Sequence, residues 1–216
     1  MAIAFSLPCA GSVSRWSMFE IAGEVLFLQD FCTVSLVEAL KPDGGLRAFA
    51  RLPEREHALL RRIAERTDSM LTLAYTARGV IVGQVTLAPA DGFWRELTNT
   101  YEIAFEVSAG WRGRGLARQL LDLVFAREWL DDLIVIGLGF SWHWDTAGLD
   151  LTSFAYRAMI ERLLARYGFA EYLTVEENIR MDPANIFLAR PGSRVPADAV
   201  ARFYDRLLQS DTLPGM

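Results

Sequence analysis

Val107 to Leu121 reads VSAGWRGRGLARQLL. The residues leading into it, Tyr101 to Val107 (YEIAFEV), read as a strand. Beyond Gly115, apolar side chains fall at Leu116, Leu120, Leu123 and Val124, a spacing of i, i+4, i+7 and i+8 that predicts a helix from about Gly115 to Trp129. Gly110, Gly113 and Gly115 lie in the bend between them. Glycines there let successive backbone N–H groups turn into one concavity. The start of a helix adds its own unpaired N–H groups and the positive end of its dipole. Arg112, Arg114 and Arg118 put three positive charges within seven residues of a chain whose net charge is -5. Chemically this is an anion site, suited to a diphosphate.

Three kinds of phosphate loop compete for the stretch. A Walker loop needs GK[ST] after its glycines, and here Leu116 follows Gly115. A dinucleotide fingerprint needs GxGxxG, and Arg118 stands where the last glycine should be. Arg112-Gly113-Arg114-Gly115-Leu116-Ala117 does match the R/Q-x-x-G-x-G/A pattern of the GNAT acyltransferases, with Val107 five residues ahead. The element order over residues 50–190 is also similar to that fold. The resemblance implies an α/β GNAT acyl-CoA N-acyltransferase fold, with a mixed central sheet flanked by helices, and acetyl-CoA as co-substrate without a metal. It further implies that backbone amides from Arg112 through Gly113, Arg114, Gly115 and Leu116 to Ala117 hold the coenzyme A pyrophosphate. Arg114 or Arg118 would meet the 3′-phosphate, and the Val107 end of the strand would pair with the pantetheine arm. The competing reading is a glycine-rich turn with a solvated arginine face.

A narrower resemblance rests on Trp142-His143-Trp144-Asp145 (WHWD), Tyr156-Arg157, Ile160-Glu161 and Pro183 to Arg190 (PANIFLAR). Together these are similar to the acetoin-utilisation acetyltransferases, a bacterial GNAT branch. Its members are associated with acetylating a lysine of acetyl-CoA synthetase, which implies a protein substrate, with acetyl-CoA synthetase as the leading candidate.

Amine acetylation needs a neutral amine, and a lysine with a pKa of about 10.4 is almost wholly protonated at neutral pH. A carboxylate or histidine near the thioester can take that proton. Three residues are candidates. Glu102 and Glu106 stand four apart on the strand running into the turn, which predicts one shared face unless a bulge intervenes. Glu106 adjoins Val107. His143 follows the strand read at Leu133 to Phe140, and its ordinary pKa of about 6.5 suits base work. Against these stand plain readings: strand carboxylates facing solvent or an arginine, and a histidine packed among tryptophans. Asp145 is a candidate to orient His143. Many GNAT enzymes carry a tyrosine as general acid four residues before the glycine of a helix-ending Gly-Phe pair. Here the pair is Gly168-Phe169 and that position is Leu164, a departure that puts the usual acid in doubt; Tyr156 is a substitute candidate, against the plainer reading of a core or cleft-wall aromatic.

The rest of the chain reads as helices and strands in one 1–216 domain. Expected are a helix from Pro53, a hairpin of Met70 to Thr76 and Val80 to Leu87 turning at Arg78-Gly79, and a helix from Thr152 to Tyr167. Strands are expected at Phe169 to Val175 and Asn185 to Ala189, and a closing helix at 196–208. Gly137 and Gly139 leave room for a neighbouring backbone, the pantetheine or an aromatic ring. Residues 1–45 are hard to read beyond a strand at Gly23 to Gln29.

Composition excludes other classes. A pI near 5.2 argues against a nucleic-acid protein. Lys41 is the only lysine among 22 basic residues, which reads as genome bias. Two cysteines and two histidines form no CxxC or HExxH, so no metal site is expected. The first fifteen residues lack a basic start and Leu133 to Phe140 is too short to span a bilayer, so a cytoplasmic protein is expected. Two rival functions remain: a small-molecule amine acetyltransferase and a non-catalytic acyl-CoA-binding regulator.

Overall fold

A computed structural model describes residues 13–21, 23–47 and 52–209. Cys9 and the rest of the first twelve residues lie outside the described residues. The described chain forms two compact units. One takes residues up to Ala88 together with Ala104–Arg127, and the other takes Pro89–Ile103 together with the chain from Glu128 onward.

In the first unit, β1 (Trp16–Ile21) and β2 (Glu24–Gln29) form an antiparallel hairpin, and β2 pairs antiparallel with β4 (Met70–Thr76). β4 pairs antiparallel with β5 (Val80–Pro89), while the two-residue β3 (Lys41–Pro42) pairs parallel with β5. β4 and β5 are buried almost throughout, as strands covered on both faces must be. Helix α1 (Val34–Ala39) packs on α2 (Pro53–Ala64), and α2 packs on β4. The α2 residue Glu56 accepts from Gln84 Nε2 at 2.8 Å, so α2 covers the Gln84 face of β5. The next residue, Gly83, faces Leu116 and Leu120 of α3 (Leu116–Phe125), on the opposite face. Val37, Leu40, Leu46, Leu60, Leu71, Leu73 and Ile81 make the core on the α2 side. Full burial of each such side chain stabilises by about 1.5–3 kcal/mol.

The second unit is built on the first half of β6 (Thr100–Val107), which pairs parallel with β7 (Ile134–Gly139). β7 pairs antiparallel with β9 (Ile186–Pro191), and β9 with the short β8 (Ala170–Glu171). The helices are α4 (Thr146–Leu149), α5 (Ser153–Ala165), α6 (Glu177–Arg180) and α7 (Ala197–Leu208). Trp94 stacks on Phe187 at 4.3 Å, and Phe203, Leu207, Ile134 and Ile136 close the same core.

Three expectations shift. The mid-chain helix stops at Phe125 rather than Trp129; Trp129 lies in a 3-10 turn, Glu128–Asp132, that buries Leu130. Leu121 is buried on that helix and Leu123 only half so. The strand expected at Phe169 to Val175 shrinks to β8, because Val175 N donates instead to Leu207 O at the end of α7, at 2.9 Å. No helix among the described residues is long and apolar enough to cross a membrane, and no group of three His, Cys, Asp or Glu side chains there gathers as a metal site.

Candidate active site

In the first unit, β6 ends at the buried Val107, and Ser108 N still donates to Val82 O of β5 at 2.9 Å. The chain then makes a 3-10 turn, Ala109–Trp111. Arg112 braces it: its Nε donates to Val107 O at 2.9 Å and its amide turns back to Ala109 O at 3.5 Å. Gly113 and Gly115 follow at φ +73° and +81°, a left-handed backbone that disfavours other residues, with open space where a Cβ would stand. Gly115 is the N-cap of α3. Its carbonyl accepts the first helical hydrogen bond, from Gln119 N at 3.1 Å, so the Leu116 and Ala117 amides lie ahead of the helical ladder. The Leu116 side chain is buried and anchors the start of the helix. Arg114 is exposed, 6.0 Å from the Trp111 ring, and Arg118 lies 3.7 Å from Asp122. Exposed cations, two left-handed glycines and helix-start amides fit an anionic diphosphate.

Glu106 is buried, and its Oε1 accepts from the Arg47 amide at 2.6 Å. Glu102 is half-buried and is the last β6 residue of the parallel ladder, opposite Ile136. The even alternation that would treat the two alike breaks between Ala104 and Phe105, both half-buried, so Glu106 falls among buried residues. The Glu102 carboxyl is pushed up to about 7, first by loss of water and then by the negative charges of Asp91 and Glu176. Glu176 is held in place as the cap of α6, accepting from Ile179 N and Asn178 Nδ2, each at 2.8 Å.

The WHWD segment leaves β7 through the 3-10 turn Ser141–His143. Phe140 and Trp142 stack at 4.7 Å, and the His143 ring stands edge-on to both at 5.9 Å. Trp144 stacks on Tyr156 at 5.2 Å. Asp145 Oδ1 accepts from Gly148 N at 3.0 Å and opens α4. Leu164, at the position of the usual tyrosine, is buried. A Cβ at Gly139 would stand 2.6 Å from Ile186 and 3.4 Å from Trp144, so this glycine makes room for an aliphatic side chain and a ring.

Sequence reasoning missed what the PAN motif does. Asn185 Oδ1 accepts from Ser141 N at 2.7 Å, and Asp182 Oδ2 accepts from Ser141 Oγ at 2.6 Å. These two residues fix the first residue of the aromatic turn. The two motifs read separately above are one assembly, and a polar residue buried in a strand-leading loop was the available signal.

The sequence model of the acetyltransferase (GNAT) family matches residues 35–138. Over 167 residues, 75% of this chain and 78% of the relative, the sequence is 32% identical to the acetoin utilization protein AcuA of Bacillus subtilis (strain 168). The chain belongs to the GNAT acetyltransferase family. The AcuA protein of Bacillus licheniformis matches to the same extent, 32% over 167 residues. Among solved structures, an acetoin utilization protein from Exiguobacterium sibiricum 255-15 superposes with a TM-score of 0.84 at 26% identity, covering 91% of this chain and 96% of that one. A GNAT phosphinothricin acetyltransferase from Sinorhizobium meliloti, in complex with AcCoA, shares the fold at a TM-score of 0.50 and 17% identity, covering 79% and 90%. As a GNAT member the chain is an acyl-CoA-dependent N-acetyltransferase.

Proposed function

We propose that this GNAT enzyme acetylates a lysine of another cytoplasmic protein, with acetyl-CoA synthetase as the leading acceptor. The likeness to acetoin utilization proteins supports the acceptor class. For the chemistry, the carrying observation is Glu102, a carboxyl raised to about 7 on the strand that leads into the phosphate turn. In this reading the Gly113 to Ala117 amides hold the coenzyme A pyrophosphate and Arg114 its remaining phosphate charge. Glu102 takes the proton that the lysine ammonium must lose, directly or through water. The amine nitrogen then bonds to the acetyl carbon, the carbon–sulfur bond breaks, and the thiolate takes up the second proton that the nitrogen sheds in becoming an amide; with a thiol pKa of about 8.5 it needs little acid help. Direct attack in a ternary complex fits the state of Cys32, whose thiol burial pushes up, away from the reactive thiolate. His143 and the stacked tryptophans serve as a wall for the acceptor.

Leu164 in place of the tyrosine favours one second reading, an acyl-CoA-binding regulator without turnover. Incubation with labelled acetyl-CoA and purified acetyl-CoA synthetase separates the two. The proposal predicts label on a synthetase lysine, identified by mass spectrometry, and lost in Glu102→Gln. Coenzyme A binding with no label on any protein or small amine contradicts it.

A further inference from the structure

We infer that Glu106 is a positioning residue, whose carboxylate pins the Asp43 to Arg47 loop against the start of the phosphate turn and so holds that turn in its ligand-binding shape. The inference rests on the acetyl-CoA reading of the turn given above. Glu106 is only 5% exposed and one of its oxygens already receives a main-chain amide, that of Arg47, at 2.6 Å. An N–H to carboxylate bond of this kind is stronger than a neutral one and uses the group as an acceptor, not as a proton carrier.

The loop is tied down along its length. Asp43 N donates to Ile81 O at 2.9 Å. Asp43 Oδ1 accepts from Gly45 N at 2.9 Å and also from the Ser108 hydroxyl. Ala109 N donates to Gly45 O at 3.4 Å. Leu46 is fully buried in the α2-side core, and Arg47 Nε closes on Gly44 O at 2.7 Å. A Cβ on Gly45 would collide with Ser108 Oγ and stand 2.8 Å from Ala109 N, so the strap touches the turn backbone as closely as a chain can. Three anchors, at Glu106, Ser108 and Ala109, thus fall within six residues ahead of the Arg112 to Ala117 bend. A strap of this kind acts on ligand affinity; it moves no proton.

Steady-state kinetics of Glu106→Ala, Glu106→Gln and Gly45→Ala test this, with KM for acetyl-CoA and kcat read separately. The expected result for Glu106→Ala is a KM raised about tenfold with kcat within about threefold, a loss of uniform binding. Glu106→Gln, whose side-chain oxygen still accepts from Arg47 N, recovers most of that KM. A fall in kcat of about a hundredfold in both variants with KM unmoved, the signature of a lost base, overturns the inference, and so do wild-type values of both parameters in Glu106→Ala. If Glu106→Ala does not fold, Gly45→Ala carries the same split: a raised KM supports the strap and an unmoved one overturns it. Amide hydrogen exchange at Arg47 keeps this separate from the acetyl-CoA reading. If the wild-type chain binds no coenzyme A, that reading falls alone. Exchange slowed in wild type and released in Glu106→Ala still supports the strap, and equal exchange overturns it.

Discussion

Glu102 holds its proton into the neutral range because water has been removed from it and because Asp91 and Glu176 add negative charge. A base must be ionised to work, so log kcat/KM should rise with pH through about 7 and then level, until the acceptor itself titrates. In Glu102→Gln that limb should vanish and kcat should fall by about a hundredfold or more; a pH–rate profile checks both. The stability sign runs the other way. The folded pKa is raised above the ordinary carboxyl value of 4.5, so whatever stability the neutral carboxyl gives is complete below 4.5 and is lost as pH climbs through about 7. Glu102→Gln should therefore melt higher than wild type at pH 8 and no higher at pH 4, by calorimetric Tm. The sequence offered Glu102, Glu106 and His143 as candidates, with Glu106, beside Val107, the carboxylate expected nearer the thioester. It could not fix which of the two carboxylates is the base, because spacing along a strand fixes a face only while the alternation is unbroken, and here it breaks at Ala104-Phe105. Which carboxylate an amide from residue 47 would reach is a long-range fact that no local pattern contains.

Elements were more legible than residues. The glycine bend and α3 were readable because Gly113 and Gly115 mark left-handed positions and Leu116 starts an apolar face. An alanine at 115 must adopt φ near +81°, at a cost of about 1 kcal/mol. Gly115→Ala should weaken coenzyme A binding about tenfold by calorimetry, because strain in the bend turns the amides away. The end of α3 was misplaced for a reason of packing: Leu130 is needed in a core of its own, so the chain leaves the helix early. The PAN loop carries a second element-scale prediction. Asn185→Ala removes the acceptor of Ser141 N and leaves it without that bond, which costs about 2 kcal/mol. It should raise KM for the acceptor amine while coenzyme A affinity stays put, since Ser141 opens the aromatic turn.

At the scale of the molecule, the helix–strand order from Pro53 onward was enough to place the chain among mixed sheets flanked by helices. The first 45 residues were not, because β1 exposes Trp16 and Met18 and so lacks the polar alternation that marks a half-buried strand. What ties this hairpin region down is electrostatic. Asp30, fully buried, accepts from Arg127 Nε at 2.8 Å and from Arg15 N at 2.6 Å, which links the end of β2 to the end of α3. Arg127→Met leaves a buried charge without its cation and should lower unfolding stability by about 3–5 kcal/mol in urea titration. The double variant with Asp30→Asn should recover part of it.

The central claim is that the Gly113 to Ala117 bend grips coenzyme A through its main-chain amides. Isothermal titration of the folded chain with coenzyme A and with acetyl-CoA at up to millimolar ligand measures it directly. The account predicts saturable heat with one ligand per chain, weakened by Gly115→Ala and untouched by Asn185→Ala. A chain shown to be folded that gives no heat with either ligand contradicts it.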